Sequence, residues 1–195
     1  KDNCYFGVGN RSSDKRWSNF ILMPIVHIRD ERNARRIFVI RNAKKQEAVI
    51  KFAQSEMVSF SDFKTRIETK GNYVWEAGQG ELTILKKYLY DDTPSADEIK
   101  QLGWQKRYGF YAWGNGGLDD GHFEKADDYG IINMKGQKFY LPGCSRDTQD
   151  DTQGYQHQRK FVYAITNSIS LYDYAQMLIR SFGDNAKVAL CFLFA

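Results

Sequence analysis

The sequence predicts an α+β fold: antiparallel β-meanders with a few packed helices and a truncated C-terminal helix. Three observations carry that expectation. Apolar and polar residues alternate through the first 52 positions, with turn-forming residues between the runs. Helical spacing replaces the alternation between about 60 and 90, and alternation returns after Leu102. The chain has 195 residues, 15% of them aromatic, and its 13 Phe, 12 Tyr and 4 Trp can bury enough surface to exclude intrinsic disorder.

In order, Tyr5 to Val8 and Trp17 to Met23 read as strands separated by the turn-rich Gly9 to Asp14, with Pro24 closing the second strand. Pro24 to Arg29 and Arg36 to Arg41 read as two more strands around Asp30 to Asn33, and Ala48 to Phe52 as a fifth after the turn Asn42 to Gln46. Ser61 then predicts a helix N-cap, with Phe60, Phe63 and Ile67 on one face and Gly71 ending the helix. A short aromatic strand, Tyr73 to Trp75, precedes a helix from about Gly80 to Tyr90, where Leu82, Leu85, Tyr88 and Leu89 form one stripe. Asp91 to Asp97 reads as a loop or linker.

Beyond Leu102 the candidate strands are Gln105 to Lys106, Phe110 to Trp113, His122 to Glu124, Gly130 to Asn133 and Lys138 to Leu141. Met134 to Gln137 forms a tight hairpin turn and Pro142-Gly143 a stop. Gly114 to Gly117 reads as a turn, and Ser145 to Gly154 as a polar loop. Arg159 to Tyr163 reads as a last strand, and Ser170 caps a helix from Leu171 to Ser181 that Gly183 ends. The predicted domain is residues 1–183, with sub-lobes at 1–92 and 102–166; residues 184–195 are expected to begin a helix that continues into a missing domain.

The net charge is +4, and it is uneven: residues 1–50 carry 11 basic and 5 acidic side chains, while 51–103 carry 7 and 9. A basic segment of this kind suits contact with phosphates, since each neutralised phosphate releases counterions. Solvated turns and strand faces are the alternative account. The phosphate candidates are Arg16, Arg35, Arg36, Lys44 and Lys45, with Arg159 and Lys160 of the polar-aromatic stretch Tyr155 to Phe161 second. Three dispersed Cys residues (Cys4, Cys144, Cys191) make no disulfide framework, so free thiols in a reducing, cytoplasmic setting are expected. No apolar run is long enough for a spanning helix, so no membrane partner is expected.

Catalytic motifs are sparse. The chain has no G-x-x-x-x-G-K-[ST] loop, no complete dinucleotide fingerprint, no G-x-S-x-G elbow and no paired Cys or His at zinc-ligand spacing. No catalytic or metal-binding residue is therefore assigned. One acidic cluster, Asp119, Asp120, Glu124 and Asp128, offers hard oxygen ligands for Mg²⁺ or Mn²⁺, the chemistry of a nuclease or nucleotidyl transferase. A solvated loop explains the same residues. Residues Trp104 to Asn115 are also open to a small ligand, although no residue type there names one.

Several stretches together resemble a known domain: Trp17 to Pro24, Gly80-Glu-Leu82 with Leu85, Leu102-Gly-Trp104, Phe110 to Asn115, Asp128-Tyr-Gly130, Phe139 to Pro142, Phe161-Val-Tyr163, and Tyr174 leading to Phe182 to Asn185. This resembles the domain of unknown function that precedes the ATPase core in primase-helicase-like replication proteins of phages and mobile elements. The resemblance implies a non-catalytic accessory domain that binds DNA or organises a ring. Its own ATPase domain and neighbouring subunits would be its partners, with ATP and Mg held by the missing domain and no cofactor here. A metal-dependent enzyme and a scaffold that contacts only protein are the alternatives.

Overall fold

The computed structural model describes residues 3–8, 14–30, 34–145, 162–163 and 170–183. The chain separates into two compact units, Lys1–Val162 and Tyr163–Ala195. The fold is α+β.

In the first unit a hairpin of β1 (Phe6–Val8) and β2 (Asp14–Arg16) leads into β3 (Phe20–Arg29), β4 (Arg35–Asn42) and β5 (Glu47–Ala53), an antiparallel meander. Three helices follow: α1 (Gln54–Val58), α2 (Phe60–Glu68) and α3 (Gln79–Asp91). The β6 strand (Ser95–Glu98) comes next, and then a four-stranded antiparallel sheet built from β7 (Gly103–Gln105), β8 (Phe110–Trp113), β9 (Gly116–Asp119) and β10 (His122–Lys125). The hairpin of β11 (Ile131–Met134) and β12 (Gln137–Tyr140) completes the strands. The large sheet has the order β11-β12-β6-β3-β4-β5, and β6 runs parallel to both of its neighbours.

Side-chain alternation divides the large sheet into two faces. One face carries Phe20, Leu22, Phe38, Ile40, Ile50 and Phe52, which pack with Met57 of α1, Phe63 and Ile67 of α2, and Leu82, Leu85 and Leu89 of α3. Phe52 stacks on Phe63 at 5.4 Å between centroids, and Phe63 meets Trp75 edge-on at 5.7 Å. At the β11–β12 end of this face, Phe139, Ile132 and Met134 pack against Phe110 and Ala112 of the small sheet. The helices thus cover one end and the small sheet the other. The opposite face buries Val26, Ile28, Ile37, Ala96 and Tyr140.

Several elements depart from the sequence expectation. Pro24 does not close a strand: β3 runs through it, with a register shift between Pro24 and Val26. There β3 pairs with β4 alone, because β6 joins only at His27, so the missing proline N–H leaves no ladder bond unmade on the open side. The expected loop at Asp91 to Asp97 contains β6, which lies at the centre of the sheet. Gly116 and Gly117 belong to a strand, not a turn. Tyr73 to Trp75 contributes one bridge, Ser18 to Trp75. The α2 cap is Ser59, whose hydroxyl accepts from the Asp62 N–H at 3.3 Å, and the helix ends before Gly71.

The large sheet also runs across the expected sub-lobe boundary, since β6 bonds to β3 on one side and to β12 on the other. In the second unit α4 (Leu171–Phe182) is capped by the Ser170 hydroxyl, which accepts from the Asp173 N–H at 3.0 Å, and Gly183 closes it at φ +54°. Residues 159–161 of the expected strand Arg159 to Tyr163 and the helix from 184 fall outside the described set, and the described Val162 and Tyr163 belong to no strand. No helix among the described residues is long and apolar enough to cross a membrane.

Candidate functional site

Two surfaces of the first unit gather chemistry. The first is the outer face of the small sheet. Its strands are in register so that Trp104, Tyr111, Leu118 and Phe123 stand opposite one another, one from each of β7, β8, β9 and β10. Period-2 alternation places Trp113 on the same face, its ring 5.1 Å from that of Tyr111. The opposite face turns Ala112 and Gly117 onto the core, where Gly117 lies against Met134 and Ile132. Trp104 is 62% exposed, and Tyr111, Trp113, Leu118 and Phe123 are half-buried. The row that joins Trp113 to Gly116 ends in the exposed Lys125. Lys106 and Arg107 extend from the β7–β8 turn, and neither they nor Lys125 make an ion pair among the described residues.

The second surface is an open cleft of about 1020 Å³ on the helix-bearing face of the large sheet, lined by residues of β3, β6, β12 and the β7–β8 turn. Asp97 lies at its centre. Parallel pairing sets Asp97 directly opposite Arg29, and the carboxylate accepts from Arg29 Nε at 2.8 Å, Tyr108 Oη at 2.9 Å and Gln137 Nε2 at 2.7 Å. Partial burial pushes the Asp97 carboxyl up, but the bonds from Tyr108 and Arg29, with the charges of Arg29 and Arg107, outweigh it and hold it below its ordinary value. His27 lines the same cleft, and burial together with the charges of Arg36 and Arg29 pushes its imidazole below the usual histidine range. Lys100 reaches Asp30 at 3.0 Å.

The basic residues expected to meet phosphates do not form one patch. Arg16 is paired with Glu76 beside the β1–β2 hairpin. Arg35 is paired with Glu98, whose side chain is only 7% exposed. Arg36 is buried, its guanidinium 3.8 Å from the centroid of the Tyr90 ring, and its Nη1 has no hydrogen-bond partner among the described residues. Burial lowers its pKa. Lys44 and Lys45 are exposed in the β4–β5 turn, at the other end of β4 from Arg35. Arg159 and Lys160 lie outside the described residues.

The acidic cluster is divided as well. Asp119 meets Lys135 at 3.3 Å, Glu124 lies 4.0 Å from His122, and Asp120 occupies the β9–β10 turn at φ +44°. Among the described residues no three His, Cys, Asp or Glu side chains converge as a metal ion would need. Neither the aromatic row nor the Asp97 cleft is legible in the sequence. The row depends on strand register, and the cleft joins residues as far apart as His27 and Gln137. The segment Trp104 to Asn115, open on sequence grounds to a small ligand, is the one pointer to either. No protein-family model matches the chain, and no curated protein matches it.

Proposed function

We propose that this chain is a non-catalytic accessory domain that binds single-stranded DNA for an ATPase of the primase-helicase type, through the outer face of its small sheet. One observation carries the reading: a register-aligned row of Trp104, Tyr111, Leu118 and Phe123, extended by Trp113, with the exposed Lys106 and Lys125 next to its strands, which make no ion pair among the described residues. Every base presents a π-face, so aromatic side chains on a sheet hold unpaired bases without reading sequence. Lysines beside them meet the backbone that links those bases. The strand carboxylates Asp119 and Glu124 do not oppose such contact, because alternation directs them to the other face. The motor context comes from the sequence resemblance alone.

The test is fluorescence anisotropy with single-stranded and duplex oligonucleotides over a series of salt concentrations. Trp104→Ala and Tyr111→Ala are each expected to weaken single-strand binding by about 1–3 kcal/mol, the worth of one stacked base. Removing Lys106 and Lys125 together flattens the logarithmic salt slope by roughly 1.4, about 0.7 for each phosphate contact to a single strand. Lys44→Ala with Lys45→Ala leaves both quantities unchanged. A preference for duplex, or an affinity indifferent to Trp104 and Tyr111, removes this reading, and an oligomer that ignores DNA favours a protein-only scaffold.

A further inference from the structure

We propose that the Asp97 cleft is a binding site for a phosphate monoester, clamped between Arg107 and the outer edge of Arg29. This goes beyond the stacking face, and neither proposal depends on the other.

The cleft is lined by Arg29, Lys100 and Arg107 and by Asp30, Asp97 and Glu98. Asp97 is matched by Arg29, Asp30 by Lys100, and Glu98 by Arg35 of β4, across β3. Among the lining cations Arg107 alone pairs with no carboxylate of the described residues. Its guanidinium instead stands 5.5 Å from the centroid of the Tyr108 ring, over the phenol that donates to Asp97. Once each carboxylate of the lining is matched, Arg107 is the cation left over among the described lining residues, and it faces the cleft.

Hydrogen-bonding capacity points the same way. Arg29 spends Nε on Asp97 and makes no other side-chain hydrogen bond among the described residues, so both of its Nη amines can donate into the opening. Arg107 adds a second fork of donors. The Nη amines of Arg29 and the guanidinium of Arg107 leave unmet donors, and the ligand they suit is a planar or tetrahedral oxyanion. His27, held neutral by its surroundings, supplies one more ring N–H without adding charge. A metal cation is disfavoured at the same point, because Asp97 already accepts three hydrogen bonds and the free groups around it are donors.

Size selects among oxyanions. A cavity of about 1020 Å³ lies at the upper end of small-molecule sites and far exceeds a free phosphate. The cleft therefore has room for a larger body attached to the phosphoryl group. Two sources fit: a free nucleotide, or the phosphorylated end of a strand lying across the Lys106–Arg107 turn.

Calorimetric titration of the full chain with pyrophosphate, deoxyadenosine monophosphate and deoxyadenosine separates the possibilities. Pyrophosphate and the monophosphate are expected to bind and the nucleoside not to. Arg107→Ala, an exposed change that leaves the Asp97 network whole, weakens both at least tenfold, whereas Trp104→Ala leaves them unaltered. A 5′-phosphorylated oligonucleotide binding better than its 5′-hydroxyl counterpart, with the gain lost in Arg107→Ala, assigns a strand end. Equal binding of the two oligonucleotides alongside tight monophosphate binding assigns a free nucleotide. Absence of phosphate binding, or binding indifferent to Arg107→Ala, overturns the site while leaving the stacking face untouched. Oligonucleotides that bind only through Trp104, with no monophosphate bound, overturn it equally.

Discussion

Phe123 lies so close to Gly116 that a Cβ on the glycine would stand 2.5 Å from the ring's Cζ and 2.2 Å from the Glu124 carbonyl oxygen. The glycine is the space the phenylalanine occupies. Gly116 pairs with Trp113 on one side and Lys125 on the other, so the ring closes the aromatic face over an otherwise bare strand position.

Gly116→Ala is therefore expected to destabilise the chain by about 1–3 kcal/mol, the usual cost of overpacking, because backbone cannot yield as a flexible side chain can. Gly80→Ala is the matched control. Gly80 sits in the first turn of α3 with nothing within 4 Å of a new Cβ, and removing a helical glycine should stabilise by up to about 1 kcal/mol. Urea midpoints of the two variants should move in opposite directions.

Arg35 and Arg36 are neighbours in sequence with opposite consequences on truncation. The Arg35 guanidinium compensates the buried Glu98, so Arg35→Met strands a carboxylate and should cost about 3–5 kcal/mol. Adding Glu98→Leu to that variant should recover most of the loss. Arg36→Met surrenders a stack on Tyr90 worth about 0.5–2 kcal/mol but also removes a buried Nη1 that lacks a hydrogen-bond partner. Its stability should lie within about 1 kcal/mol of the parent chain by chemical denaturation. A fall in DNA affinity on removing Arg35 would thus report unfolding, not a lost phosphate contact.

The same contrast explains what can be read from the sequence and what cannot. Period-2 runs around Leu22, Phe38 and Ile50 and the stripe Leu82, Leu85, Leu89 name the sheet, the helices and their core, since burial imposes those spacings locally. Ser95–Glu98 carries no such signal. Only Ala96 of that strand is fully buried, and its Asp97 and Glu98 are tolerated because Arg29, Tyr108, Gln137 and Arg35 arrive from other elements. Basic residues are legible as charge but not as availability: Arg16, Arg35 and Arg36 are each engaged within the fold, while Lys44 and Lys45 stand exposed in their turn. The aromatic row exists only once four strands are in register. Trp104 and Phe123 are 19 positions apart, too far for any local pattern to join them.

Acid should weaken this fold in two stages, with signs set by His27 and Asp97. The His27 imidazole titrates below its ordinary value of 6.5 in the folded chain, because burial and the charges of Arg36 and Arg29 oppose its protonation. Below that pH the unfolded chain takes up a proton the native state refuses, so stability declines until the folded group itself titrates, and is complete again above 6.5. The Asp97 carboxyl is also held below its ordinary value, by Tyr108 and Arg29 against the opposing effect of burial. Its contribution is present above the usual carboxylate range and is lost as pH falls through the depressed folded value. Denaturation of the parent chain at a series of pH values should show both declines. His27→Gln should flatten the one just below 6.5 and leave the acid limb intact, whereas Asp97→Asn should lower stability at neutral pH and flatten the acid limb. If neither substitution changes the pH profile, His27 and Asp97 are not what couples this fold to protons.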